Sequence, residues 1–90
     1  MKIYSQNLNR ALKSCSIVYV VRNRNTGELY CGYTEDLRRR IREHYTKSPD
    51  LLYYEAYKSE KDARIREQKL KQRGQSIRCL KHRLENSLLI

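Results

Sequence analysis

Ile17-Val18-Tyr19-Val20-Val21, then Arg22-Asn23-Arg24-Asn25-Thr26-Gly27-Glu28, then Leu29-Tyr30-Cys31-Gly32-Tyr33, is the stretch that decides the fold. Its first five residues are β-branched or aromatic without interruption, as in a central strand buried on both faces. Asn23 to Gly27 is turn chemistry, with Gly27 able to supply φ > 0. Leu29 to Tyr33 then reads as the return strand of a hairpin. Side chains alternate along it, so Tyr30 and Gly32 share one face while Leu29, Cys31 and Tyr33 share the other. A glycine inside a strand weakens packing unless something must approach the backbone closely, which singles out Gly32.

Downstream, Thr34 is placed to cap a helix that opens with Glu35-Asp36 and runs to about Thr46. Leu37, Ile41 and Tyr45 recur at helical spacing and define its apolar stripe. Ser48-Pro49-Asp50 reads as a break, and Leu51 to Tyr57 as a third strand. Ser59-Glu60-Lys61-Asp62 resembles a capping box, opening a second helix that Gly74 closes. Ser76 caps a last helix in which Ile77, Leu80, Leu84 and Leu88 make one stripe. Upstream, residues 1–14 read as an N-terminal extension, with Ser5 capping a short helix to about Lys13. Residues 15–90 then form a single α/β domain: a small three-stranded, mostly antiparallel sheet flanked by helices in the order β-β-α-β-α-α.

Ninety residues make one domain, and a chain this short buries only about 60–65% of its unfolded surface. Twenty Lys and Arg against ten Asp and Glu give a net charge of +10 and point to a polyanion, most simply nucleic acid. The longest apolar run, Ile17 to Val21, is too short for a membrane span or a signal-peptide core, so a soluble, cytoplasmic protein with no membrane partner is expected. Three scattered cysteines, Cys15, Cys31 and Cys79, give no disulfide framework. Cys79 and His82 make half a zinc site with no second ligand pair, which argues against a structural zinc.

Sharper information lies in polar residues on apolar faces. On the first long helix, Leu37 and Ile41 bracket the inward direction; His44 falls within that sector and Arg40 at its edge, while Arg38, Arg39 and Arg42 point to solvent. An arginine turned toward a core needs a carboxylate or phosphate, or else it snorkels to the rim. On the second helix Glu67 lies in the stripe between Ala63 and Leu70, as a metal ligand or as a structural partner for an arginine, with Arg66 the obvious candidate. Eight tyrosines with no Phe or Trp suit half-buried strands, and equally suit hydrogen bonding, proton transfer and base stacking.

Together these positions resemble the GIY-YIG nuclease family over about Ile17 to Leu84, and most of all its small stand-alone members akin to the N-terminal nuclease domain of the excinuclease C subunit. The first signature stands as Ile17-Val18-Tyr19, the second as Tyr30-Cys31-Gly32. Leu37, Arg40 and His44 match the family's first helix, and Ala63, Arg66, Glu67, Leu70 and Lys71 its later glutamate helix. Tyr53-Tyr54-Glu55 resembles its third strand. The resemblance implies a GIY-YIG endonuclease of DNA repair or recombination, which hydrolyses phosphodiester bonds to 5′-phosphate and 3′-hydroxyl ends. It further implies that Glu67 is the sole protein ligand of one Mg²⁺ or Mn²⁺ ion, and that Arg40 stabilises charge on the scissile phosphate. Tyr19 helps to position and deprotonate the attacking water, and Tyr30 and His44 hold water and phosphate in line. Gly32 then lets a phosphate backbone approach the sheet.

Arg38, Arg39, Arg42 and Lys47 form a basic cluster beside this site, suited to backbone phosphate without sequence readout. The expected partner is double-stranded or branched DNA, with a protein partner as one possible source of targeting. No helix face offers a large apolar surface, so a monomer or weak dimer is expected. Two other readings remain: a catalytically silent nucleic-acid-binding module of the same fold, and a small basic structural protein.

Overall fold

Strand β1 (Ser16–Asn23) is the axis of the fold. The computed structural model describes residues 15–44, 48–72 and 75–90. β2 (Leu29–Thr34) and β3 (Pro49–Tyr57) flank β1 in the order β2-β1-β3, both antiparallel to it. Helix α1 (Leu37–Glu43) follows β2; α2 (Glu60–Lys71), α3 (Gln75–Arg83) and the short α4 (Glu85–Leu88) follow β3. This is the expected α/β domain with a three-stranded antiparallel sheet, with one short helix added at the end.

The β1 run is buried on both faces as its composition requires; Ile17, Val18, Tyr19, Val20 and Val21 are each at most 3% exposed. Val18 and Val20 face α2 and α3, where they pack with Ala63, Leu70 and Leu80. Their neighbours in register, Tyr33 and Cys31 on β2 and Glu55 and Tyr53 on β3, share that face. Tyr19 stands on the opposite face between Gly32 and Tyr54. The hairpin turn is closed by Gly27 N–H donating to the Asn23 carbonyl at 2.7 Å, and Gly27 takes φ +77. Asn23 Oδ1 accepts from Asn25 N–H at 2.8 Å.

Several helix and strand boundaries differ from expectation. Asp36, not Thr34, caps α1, because its carboxylate accepts from Arg39 N–H at 3.2 Å. Thr34 is buried at the strand end, where its hydroxyl is engaged with Asp36 N–H at 3.0 Å. Helix α1 ends at Glu43 and buries no residue completely; Leu37 and Ile41 are only half-buried. Pro49 and Asp50 begin β3 rather than breaking the chain, since a proline is tolerated as the first residue of an edge strand. Ser59 caps α2 as expected, accepting from Asp62 N–H at 3.4 Å. Ser76 lies inside α3 rather than capping it, and the stripe is split at Leu84, so that Leu88 belongs to α4. The N-terminal helix from Ser5, Tyr45, Thr46, Lys47 and Gly74 lie outside the described residues.

Two ion pairs tie the elements together. Arg22 on β1 meets Asp50 on β3 at 2.9 Å and donates to the carbonyls of Leu88 and Ile90, which holds α4 against the sheet. Arg66 on α2 donates from Nε to both oxygens of Glu55 on β3, at 3.1 and 3.0 Å, and the Tyr57 hydroxyl donates to the same carboxylate. Burial alone would push the Glu55 carboxyl up, but hydrogen bonds from Tyr57 and Arg66, with the Arg66 charge, hold it below the ordinary carboxylate value. Burial and the hydrogen bond to Glu55 push the Tyr57 phenol up to about 12.

The two shifts bracket a plateau of stability. The native Glu55 carboxyl binds its proton more weakly than the unfolded one, so its contribution is complete above the unfolded value and drains away as pH falls through the native one. Tyr57 acts in the opposite sense, contributing fully below the ordinary phenol value and losing that contribution as pH rises through about 12. Thermal unfolding followed by circular dichroism should therefore show a melting temperature that falls below roughly pH 4. Glu55→Gln should reduce that acid slope; a slope identical to the wild-type one would contradict this account of the pair.

Candidate active site

A pocket of about 210 Å³ opens at the β2 edge of the sheet. It is lined by residues from both faces: Tyr19, Tyr30 and Gly32 on one, Cys31 and Tyr33 on the other. Helix α1 and its cap contribute Arg40 and His44, and α2 contributes Glu67 and Lys71. Tyr19, Tyr30, Gly32, Arg40, His44 and Glu67, singled out from sequence, thus line one cavity. Arg38, Arg39 and Arg42 are exposed on α1 outside it.

The centre of the site is the ring of Tyr19. A Cβ built on Gly32 would fall on the phenol, 2.5 Å from its Cζ and 2.9 Å from its Cε1. The close approach for which this strand position needs a glycine is therefore made by the chain itself. Laid flat across Gly32, the ring brings its hydroxyl oxygen to Arg40, whose Nε donates to it at 3.2 Å. The other arm of the guanidinium, Nη1, donates to Glu43 at 2.9 Å. Hydrogen bonds to Tyr19 first and Glu43 second raise Arg40 above its ordinary value, so it is a fixed cation. Its side chain is 43% exposed, which places the guanidinium at the pocket wall rather than in the core.

The remaining groups are each engaged. Tyr30 donates to Glu28 at 2.9 Å; that hydrogen bond, with the charge of Glu28, raises its pKa, which keeps the phenol neutral as a donor. His44 caps α1, its backbone N–H directed to the Arg40 and Ile41 carbonyls, and this fixes its place one turn from Arg40. Glu67 is paired with Lys71, Nζ to Oε2 at 3.2 Å, and its side chain is 17% exposed. The expected structural partner, Arg66, instead turns to Glu55 on the far side of α2. Burial pushes the Cys31 thiol up against the opposing pull of Lys71, which makes it a poor nucleophile near neutrality.

Sequence reasoning did not find Lys71 as a lining group, although it is the i+4 neighbour of Glu67 and helical spacing alone signals the pairing. Nor did it find Asn23 and Pro49, which reach the pocket only through the turn and the β3 pairing. Tyr33 is more tied down than its place opposite Tyr30 suggested: its hydroxyl lies 3.3 Å from Ser16 Oγ, and the Arg64 guanidinium sits 4.3 Å above its ring. Arg39, expected to be fully solvated, shares Glu43 with Arg40 at 3.6 Å. Lys47 lies outside the described residues.

Among the described residues no cluster of three His, Cys, Asp or Glu side chains is close enough to cage a metal ion. Glu67 is the one carboxylate that lines the pocket, and a carboxylate oxygen is the donor type that a hard cation takes. No helix among the described residues is long and apolar enough to cross a membrane. In comparison with known proteins, a family model described as GIY-YIG catalytic domain matches residues 15–81 of the 90. No curated protein and no solved structure matches.

The contact between Tyr19 and Gly32 can be tested without an activity assay. Gly32→Ala should lower stability to chemical denaturation by about 1–3 kcal/mol, the ordinary range for overpacking. In a Tyr19→Leu background, which removes the ring from above Gly32, the same substitution should have a much smaller effect. An undiminished penalty there would show that something other than the ring needs the glycine.

Proposed function

The chain belongs to the GIY-YIG family, a family of endonucleases, and on that premise we propose that it is a divalent-metal-dependent DNA endonuclease. It hydrolyses phosphodiester bonds to 5′-phosphate and 3′-hydroxyl ends. The observation that carries the reading is the convergence of Tyr19, Tyr30, Arg40, His44 and Glu67 on one open pocket. A merely nucleic-acid-binding copy has no need of all five in one cavity.

Phosphoryl chemistry of this kind asks the protein mainly for positioning and charge. Arg40 meets the scissile phosphate, to which its half-exposed guanidinium is open, and exchanges Glu43 for phosphate oxygens. An exposed ion pair of this type is worth only about 0–1 kcal/mol, so the exchange is easy. Tyr19 shares a hydrogen bond with Arg40 and therefore stands beside the same phosphate, where it helps to position and deprotonate the attacking water, its oxygen accepting the water's proton as its own hydroxyl proton passes to solvent. Tyr30, held neutral, and His44 keep water and phosphate in line. Glu67 would hold one Mg²⁺ or Mn²⁺ ion, which when bound supplies charge stabilisation for the departing 3′ oxygen. Outside the pocket, Arg38, Arg39 and Arg42 bind backbone phosphate of double-stranded or branched DNA without reading sequence. Targeting to particular sites falls to DNA shape or to a partner protein.

One chain offers one Arg40 and one Glu67, hence one scissile phosphate at a time. Supercoiled plasmid incubated with Mg²⁺ or Mn²⁺ should pass through an accumulating nicked circle before any linear form. Arg40→Ala and Glu67→Ala should each slow this by about 10²–10³ while leaving the circular dichroism spectrum and DNA affinity largely intact. Wild-type cleavage by either variant would remove that residue from the mechanism, and linear product without a nicked intermediate would point to a preformed dimer.

A further inference from the structure

Helix α2 lies across one face of the sheet and carries Glu67 toward the pocket, and its packing shows what sets that direction. Ala63 is fully buried and Leu70 is 2% exposed, and these two mark the line along which α2 meets β1. At about 100° per residue, Arg66 and Glu67 diverge from that line by roughly 50° to opposite sides. The sheet order β2-β1-β3 puts different strands under the two sides. Arg66 leans over β3 and is caught there by Glu55; Glu67 leans over the β2 edge and lines the pocket with Tyr19 and Arg40. On α2 the contact line is one small residue and one aliphatic one, packed with Val18 and Val20, and such apolar contacts resist separation well and rotation about the helix axis poorly.

We propose that Arg66, fastened to Glu55, is a positioning residue that fixes the roll of α2 and so the reach of Glu67 into the pocket. The inference rests on the nuclease reading above and names a part of its machinery. The fastening is suited to the task. Arg66 Nε donates to both Glu55 oxygens, and the Tyr57 hydroxyl and Tyr53 add hydrogen bonds, so the carboxylate has little freedom to move. Both side chains are largely buried, at 26% and 16% exposed, where such a pair is more rigid than one at the surface. Glu55 in turn is anchored in the β3 ladder opposite Val18. A side-chain tip about 5–6 Å from a helix axis moves by roughly 1 Å for a roll of about 10°. A displacement of that size at a catalytic group can lower the rate by about 10². Lys71, one turn beyond Glu67, pairs with it on the same side and moves with it, so it offers no opposing restraint.

The test compares Glu55→Gln, Arg66→Met and Arg66→Lys with wild type and Glu67→Gln, at a temperature below the melting point of each. Three quantities are read: kcat and KM for plasmid nicking, the Mn²⁺ concentration for half-maximal rate, and Mn²⁺ bound to the DNA-free protein by electron paramagnetic resonance. Glu55→Gln and Arg66→Met should lower kcat by about 10²-fold and weaken Mn²⁺ binding several-fold, with KM for DNA little changed. Arg66→Lys, which keeps the charge, should recover at least a tenth of wild-type kcat, and it decides the matter if the methionine variant does not fold. Wild-type kcat and Mn²⁺ binding in the Glu55 and Arg66 variants, with only a lower melting temperature, would overturn the inference and leave the nuclease reading intact. A wild-type protein that neither nicks nor binds Mn²⁺, or a Glu67→Gln variant that does both normally, would overturn the nuclease reading and this inference with it.

Discussion

A phenol ring laid over a glycine is the constraint around which the site is built. Tyr19 comes from the most buried strand, so its backbone cannot shift, and a side chain at Gly32 would collide with the ring. With the ring down, its oxygen is delivered to the pocket at the β2 edge, where Arg40 Nε can donate to it. Helix α1 buries none of its residues completely, and its order therefore depends on such contacts with the sheet. The hairpin turn, the strand register and the glycine all serve to put one hydroxyl beside one guanidinium.

The electrostatics of the pocket differ from those of the whole chain. The protein carries a net charge of +10, yet the groups proposed to act are held by acids or in acid–base pairs: Arg40 with Glu43, Tyr30 with Glu28, Glu67 with Lys71. These are local pairs, two to four residues apart, and more than a third exposed at one or both members. Such contacts keep side chains oriented at small energetic cost, and an incoming phosphate can replace them. The pair built to last is Glu55 with Arg66, largely buried and supported by tyrosine hydroxyls, and it lies outside the pocket on the β3 side.

Much of this was legible in the sequence. An unbroken β-branched and aromatic run reads as a central strand, and the pairing of Ile17–Val21 with Leu29–Tyr33 followed from the turn between them. Arg40, His44 and Glu67 stood out because polar groups on apolar faces need partners, and one pocket holds all three. Less legible were features that depend on which long-range partner is nearest. Thr34 and Asp36 are both good caps, and the choice between them turns on Thr34 being buried at a strand end. Lys71 is within reach of Glu67 along the helix, whereas Arg66 leaves it on the other side, and naming its partner required knowing that Glu55 on β3 lies under that side. Gly32 was marked as a site of close approach, but the identity of the approaching group required knowing where Tyr19 lies across the sheet.

The most direct test of the central claim is the single-turnover nicking rate of Tyr19→Phe beside that of Tyr33→Phe, with saturating enzyme and Mg²⁺. Both substitutions remove one hydroxyl and keep the ring, so packing over Gly32 and against Arg64 is preserved. If the Tyr19 hydroxyl handles the proton of the attacking water, its loss should lower the rate by about 10²–10⁴, whereas loss of the Tyr33 hydroxyl should leave it within a fewfold of wild type. Equal effects from the two, or a wild-type rate for Tyr19→Phe, would contradict the account.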